Sequence, residues 1–315
     1  RKILLELDKN ARSSFAEIAK RVGVSKEVAK YRIEQLQARG FLEGFYAFAN
    51  LPKLGFHFYK IYLRLQFTEN EQEIIQYLKQ HPQVSWLVVC DGKYDLIINV
   101  LTKTVNELDE FLIQFRSKFG TAVQALDVTI ITNFVCCDRV YLTEVKNNPQ
   151  EFFLPNPQVH LDHLDVVCLD YLSQNARISL TDLSKKLNVS IETIRKRIQR
   201  LVKEKIIQKF TIKLNYPLFN YQYFKVMIKF QNLTQEKRER FVKYCLAHPN
   251  IVFLIEGIGV SDIDLDAELA NLKSFHSLIL DLKSKFGEII KEYEILLISE
   301  EVKATYLSPV QYLID

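Results

Sequence analysis

Val24-Ser25-Lys26-Glu27-Val28-Ala29-Lys30-Tyr31-Arg32-Ile33-Glu34-Gln35-Leu36 and Val189-Ser190-Ile191-Glu192-Thr193-Ile194-Arg195-Lys196-Arg197-Ile198-Gln199-Arg200-Leu201 read as one helix written twice, 165 positions apart. In each, a serine hydroxyl stands where it can cap the first turn. Apolar residues follow at spacings of four and three (Ala29, Ile33, Leu36; Ile194, Ile198, Leu201), the stripe of a half-buried helix. Upstream, Ser14-Phe15-Ala16-Glu17 is a capping box that starts a helix with Ile18, Ala19 and Val22 inward and a stop at Gly23. Ser179 with Asp182 opens its counterpart, and Asn188 closes it. A further helix is expected over residues 2–9. Two short helices joined by a tight turn, the second with a basic outer face, form the helix-turn-helix arrangement. Residues 41–46 and 206–212 each predict a small two-stranded wing after it.

The repetition runs further. Asn10-Ala11-Arg12 returns as Asn175-Ala176-Arg177, His81-Pro82 as His248-Pro249, and Ser117-Lys118-Phe119-Gly120 as Ser284-Lys285-Phe286-Gly287, the offset slipping by two on the way. One folding unit has been duplicated and fused, with a period far too long for a solenoid. After the first helix-turn-helix, alternation with Tyr59, Ile61, Leu63 and Leu65 on one face predicts a strand over residues 58–67. A helix (71–80), two strands around Asp91-Gly92 (84–89, 95–101), a helix (105–118) and a last strand (125–132) follow, and the series repeats from 224 to 299. That order is the split βαβ of ferredoxin-like domains. The expected fold class is α+β: a tandem duplication of a winged helix-turn-helix domain followed by a ferredoxin-like βαββαβ domain. The helix-turn-helix units take residues 1–50 and 161–216 and the sheet units 51–145 and 217–303. Residues 146–160, holding three prolines, predict an extended linker, and 304–315 a C-terminal tail.

Net charge is only +4, but residues 1–50 hold ten Lys/Arg against six Asp/Glu and residues 161–216 eleven against six. A polyanion is therefore expected on the first part of each copy. Cys90, Cys136, Cys137, Cys168 and Cys245 show neither Cys-x-x-Cys spacing nor a disulfide framework, which reads as idle thiols in a reducing cytoplasm. No apolar run of about 18 residues suggests a membrane span. P-loop, Gly-x-Gly-x-x-Gly, His-Glu-x-x-His and nucleophile-elbow motifs are missing. His81 and His248 each precede proline at a helix-to-strand turn and read as local structural residues. Neither an enzyme nor a bound cofactor or metal is expected.

Counted from the serine cap, Lys26, Glu27, Lys30, Tyr31, Arg32 and Gln35 face outward in the first copy. In the second copy Ile191, Glu192, Thr193, Arg195, Lys196, Arg197, Gln199 and Arg200 do so. Arginine can fork onto guanine O6/N7, and both cations neutralise phosphate. The candidate contacts to double-stranded DNA are accordingly Lys26, Lys30, Tyr31, Arg32, Gln35, Thr193, Arg195, Lys196, Arg197, Gln199 and Arg200, with the second helix the stronger phosphate binder. Elsewhere Asp262, Asp264, Asp266 and Glu268 alternate along one strand face, with Lys225, Lys229, Glu292 and Glu294 on the same face of neighbouring strands. Either an ion-pair lattice or a carboxylate cation site fits that pattern.

As a combination, these motifs resemble the Lrp/AsnC (feast/famine) family of prokaryotic transcription regulators, twice over. Ile3-Leu4, Asn10-Ala11-Arg12, Ile18-Ala19, Val24-Ser25, Arg32-Ile33 with Leu36, and Gly40-Phe41-Leu42 match the family's N-terminal pattern. Leu164-Asp165, Asn175-Ala176-Arg177, Leu183-Ser184, Val189-Ser190, Arg197-Ile198 with Leu201, and Ile206-Ile207 match it again. Gly92-Lys93-Tyr94-Asp95 fits the hairpin of the family's ferredoxin-like RAM domain, whereas Gly259-Val260-Ser261-Asp262 lacks the aromatic. The resemblance implies pairing through RAM sheets, as an intrachain pseudo-dimer, a homo-oligomer or both. It also implies a small effector, often an amino acid, near the hairpin, which nominates Gly92, Tyr94, Asp95, Gly259 and Asp262. Two other readings stay open. One is a siroheme-decarboxylase-like enzyme on the same paired fold, whose histidine- and arginine-containing motifs are missing here. The other is a RAM-based sensing or assembly protein that no longer reads DNA, the less basic first copy, with Val28 outward, being the half more apt to have lost it.

Overall fold

The computed structural model describes residues 1–66, 71–143, 150–151 and 159–305. The first copy begins with α1 (Lys2–Lys9), α2 (Phe15–Val22), α3 (Lys26–Ala38) and β1 (Leu42–Ala49). Its RAM unit follows as β2 (His57–Leu65), α4 (Glu71–Gln80), β3 (Val84–Asp91), β4 (Leu96–Thr102), α5 (Val105–Phe119) and β5 (Val123–Cys136). A two-residue strand β6 (Gln150–Glu151) pairs with the end of β5. The second copy runs α6 (His163–Gln174), α7 (Leu180–Leu187), α8 (Ile191–Lys203) and β7 (Ile207–Leu214), then β8 (Gln222–Phe230), α9 (Gln235–Ala247), β9 (Ile251–Ile258), β10 (Ile263–Leu269), α10 (Leu272–Phe286) and β11 (Ile290–Ala304). Most of the expected linker and the tail beyond residue 305 lie outside the described residues.

The predicted caps form. Ser14 accepts from the Glu17 amide while the Glu17 carboxylate reaches back to the Ser14 N–H at 2.7 Å, and Ser25, Ser179 and Ser190 each cap their helix. Gly23 and Asn188 both leave their helices in the left-handed region, at φ 74° and 52°, where glycine and asparagine are tolerated best.

The two-stranded wings do not form. Each copy supplies one strand, and β1 pairs antiparallel with β7 of the other copy. Tyr46 lies opposite Thr211, its own equivalent at the 165 offset, with Phe45 opposite Ile212 and Ala47 opposite Phe210. A ladder centred on equivalent positions places a local two-fold axis through it. Strand β1 adds Ala47 and Ala49 to the core of the second helix-turn-helix, and β7 adds Ile212 and Leu214 to the core of the first. Neither three-helix unit has a complete core without the other copy.

The RAM sheets join in the same way. Strand β5 runs to residue 136 and β11 to residue 304, past the expected ends at 132 and 299, because each continues onto the other copy: β5 pairs with β9, and β11 with β3. The eight strands close into a ring in the order β2-β4-β3-β11-β8-β10-β9-β5, with β5 returning to β2. One core lies under the helices of each RAM unit, around Phe111 and Phe115 in the first and Phe224 and Phe241 in the second. A third, with Tyr62, Tyr94, Ile97, Met227 and Leu296, fills the space between the sheets.

Candidate DNA-binding surface and sensor faces

Helix α3 buries Ala29 and Ile33 and turns Lys26, Lys30, Tyr31, Arg32 and Gln35 outward, as its period requires. Tyr31 is 62% exposed, and Val28 is exposed beside it. An apolar or aromatic group held in water on a basic helix is the kind that meets a thymine methyl in the major groove. Lys30 is only loosely paired with Glu34, at 3.8 Å with both side chains exposed, so it stays free to turn to a phosphate.

Helix α8 buries Ile194, Ile198 and Leu201 and presents Arg195, Lys196 and Gln199, with Ile191 exposed at its start. Arg195 is half-exposed and paired with Glu192 within the same turn. Thr193 is partly covered, its hydroxyl 2.8 Å from that of the capping Ser190. Arg197 and Arg200 depart from the outward expectation. Arg197 bonds Asp162 and lies 3.1 Å from Asp165. Arg200 reaches Asp165 at 2.8 Å, Glu204 at 3.1 Å and the His160 carbonyl at 3.1 Å. Asp165 is fully buried, so these two guanidiniums neutralise a carboxylate at the start of α6 and hold α8 against it. Counting from a cap sees one helix at a time and misses a partner on another.

The Asn-Ala-Arg repeat proves to be a reciprocal hook. Arg12 donates to the carbonyls of Ala176 and Ile178 at 2.6 and 3.2 Å, and Arg177 donates to those of Ala11 and Ser13 at 2.6 and 2.9 Å. Arg177 also stacks over Phe15 and Phe45, and Arg12 over Phe210. Together with β1–β7, the hooks fix α3 and α8 relative to one another. The signal available in the sequence was an arginine repeated off the recognition helix.

A second, one-sided link ties this head to the sheets. Largely covered Arg139, just after β5, bridges Asp8 of α1 at 3.0 Å and Glu268 of β10 at 3.1 Å. Lys209 of β7 joins through Asp138 at 2.8 Å, and Thr211 through Asp8 at 3.0 Å. Burial alone pushes the Asp8 carboxyl up, but Lys209 and Arg139 outweigh it and hold Asp8 below the usual range.

The nominated hairpin residues all serve the sheet pair. Asp95 accepts from the Leu65 amide at 2.6 Å, and its equivalent Asp262 from the Phe230 amide at 2.8 Å, so each ties its hairpin to the first strand of its own sheet. Asp262 also holds Lys229 at 2.8 Å. A Cβ on Gly92 would stand 2.7 Å from the Ile295 carbonyl, and one on Gly259 would collide with Val128 and Thr129, so both glycines are required by the close approach of the other copy. Tyr94 is buried between the sheets with its hydroxyl 2.8 Å from Asp127. Burial and that carboxylate push its phenol up, so it stays protonated.

The acidic stripe forms the expected ion-pair lattice, inside the ring. Lys60 of the first copy reaches Asp264 at 2.8 Å, Lys225 bonds Asp266, and Tyr62 and Tyr223 donate to Asp264 and Asp266 at 2.7 and 2.6 Å. Glu294 pairs with Lys93, and Glu268 serves Arg139 instead. His81 and His248 accept the Gln83 and Asn250 amides, closing their turns as read from the sequence. None of the five cysteines forms a disulfide, and all are buried. Among the described residues no group of His, Cys, Asp and Glu could hold a metal, and no helix is long and apolar enough to cross a membrane.

A winged helix-turn-helix DNA-binding family model matches residues 1–43 and again 161–208. The chain is 32% identical over 111 residues to the HTH-type transcriptional regulator Ptr1 of Methanocaldococcus jannaschii, a match spanning 35% of this chain and 75% of that protein. It is 29% identical over 127 residues to the regulatory protein AsnC of Haemophilus influenzae, covering 40% of this chain and 80% of the relative. Each match has the length of one copy. The siroheme decarboxylase NirDL is similar over the whole length, with TM-score 0.66 across 99% of this chain and 95% of that one, but at 13% identity it shares the fold alone. With two matches to the DNA-binding model and relatives that pair with single copies, the chain belongs to the Lrp/AsnC family of transcription regulators.

Proposed function

We propose that one chain binds double-stranded DNA sequence-specifically as its own pseudo-dimer, setting α3 and α8 into successive major grooves of an asymmetric site, and that it acts in the cytoplasm as a regulator rather than an enzyme. The observation that carries this reading is the self-centred β1–β7 ladder with its two arginine hooks, which relates the recognition helices by a local two-fold as an operator's half-sites are related. The two helices present different side chains: Lys26, Lys30, Tyr31, Arg32 and Gln35 on α3, and Arg195, Lys196 and Gln199 on α8. Their half-sites should differ accordingly. A small effector would act through the sheets, because the Asp8–Arg139–Glu268 link runs from the first helix-turn-helix to the second RAM sheet.

Selection of bound duplexes from a random pool tests this. The reading predicts a consensus with two unlike half-sites centred roughly one helical turn apart, 10–10.5 base pairs. Recovery of no enriched sequence, with binding independent of salt, would contradict it. A protein that purifies colourless and leaves the Soret band of added siroheme unshifted is the result expected against the decarboxylase reading.

A further inference from the structure

A chamber of about 80 Å³ lies between the two RAM sheets, beneath the end of β1. One water needs roughly 10–15 Å³ of such space, so there is room for a small molecule. Its walls are pairs of equivalent positions that have diverged: Phe58 with Tyr223, Trp86 with Phe253, Asn99 with Asp266, and Phe134 with Glu301. In a homodimer a cavity on the axis must look the same from both halves. Here the β5–β9 seam carries an aromatic cluster, Phe134 being 5.7 Å from Phe48 and 5.3 Å from Phe253 between ring centres. The β3–β11 seam is polar, with the Trp86 indole donating to Glu301 at 3.1 Å. One end is apolar and the other is rich in acceptors.

Between the ends stands Asn99. Its equivalent, Asp266, takes Lys225 from the neighbouring strand, whereas Lys60, which faces Asn99 in register, turns away to Asp264. Asn99 is 8% exposed, and its Oδ1 is buried with no hydrogen-bond partner. A buried acceptor without a donor is an unfilled half of a hydrogen bond.

We propose that this chamber binds one small molecule per chain, an apolar body lying among Phe48, Phe134 and Phe253 with an amino head donating to Asn99 Oδ1. The charged wall residues, Lys60, Asp266 and Glu301, are each already paired, with Asp264, Lys225 and Lys213, so a zwitterion is admitted more readily than a bare cation. The amino head could belong to a free hydrophobic amino acid or to the amine left after its decarboxylation, and the probes below separate these. An occupant would touch Phe48 and Ala49 of β1 as well as both sheets. This inference rests on the effector half of the regulator reading and is separate from the hairpin residues nominated for it.

Trp86 is the chain's single tryptophan and lines the chamber. The intact chain, without DNA, is titrated with L-phenylalanine, L-leucine and 2-phenylethylamine while Trp86 fluorescence is followed. The expected result is a saturable change, one site per chain, with the amino acids ahead of the amine. Asn99→Leu should weaken it at least about tenfold, the worth of one hydrogen bond. Ala304→Phe, which sets a ring into the lining, should abolish it while leaving the melting curve in place, and so serves should Asn99→Leu fail to fold. No saturable change with any probe at millimolar concentration, or equal affinity in either variant, overturns the proposal. DNA affinity measured separately on the unliganded chain tells failure of the chamber from failure of the regulator reading.

Discussion

The guanidiniums of Arg197 and Arg200 face carboxylates that nothing else in the helix-turn-helix neutralises, and this decides what each cation on α8 can do. Lys196 and Arg195 stay exposed, and under the proposed reading they are the cations of α8 that meet DNA. Alanine at either should lower the slope of log affinity against log salt by ~0.9, one phosphate's worth, with the urea midpoint unchanged. Alanine at both Arg197 and Arg200 strips buried Asp165 of its partners. That double variant should lose about 3 kcal/mol of stability in urea unfolding, and with it DNA binding at every salt concentration. If its stability is intact while its salt slope falls by two phosphates, these arginines read DNA after all. Another residue-level expectation concerns acid. Burial, with Lys303 nearby, pushes His81 down to about 4. The unfolded chain takes up this proton from about pH 6.5, so stability falls as pH drops from there to about 4. His81→Asn keeps an acceptor for the Gln83 amide and should flatten that part of the urea midpoint against pH.

Among elements, the strands that join the copies govern the rest. Arg12→Ala or Arg177→Ala removes charged hydrogen bonds to backbone carbonyls of the other copy. Each should cost about 1.5–3 kcal/mol, and each should weaken DNA binding although neither residue lies on a recognition helix. Unchanged gel shifts for both would mean the hooks do not set the spacing of α3 and α8. Gly92→Ala drives a Cβ into the Ile295 carbonyl at the β3–β11 seam. It should lower the melting temperature equally with and without any effector; a loss confined to the liganded protein would return the hairpin to a binding role. Helices α3 and α8, the strand order and the acidic stripe were legible because each follows a local period, and Lys225 with Asp266 confirms the face that period two assigned. The wings were not. A strand that pairs with one 165 positions away has the same alternation as one that pairs with its neighbour, so residues 41–46 read as a small two-stranded wing. The ends of β5 and β11 were underestimated for the same reason: the partner that extends them is in the other copy.

At the scale of the whole molecule, fusion has freed the two halves to differ. The Asp8–Arg139–Glu268 link has no mirror image, since Leu101 stands at the position equivalent to Glu268 and Ser173 at that of Asp8. Asn99 against Asp266 breaks the symmetry between the sheets, and Tyr31 against Lys196 breaks it on the recognition helices. Among the described residues each strand of the eight-strand ring already has a neighbour on both sides. The most direct test is therefore native mass spectrometry of the protein on its selected duplex. One chain per site is predicted, unchanged on dilution, with the two half-sites unlike. Two chains bound symmetrically on a palindrome would contradict the claim that a single polypeptide supplies both reading heads.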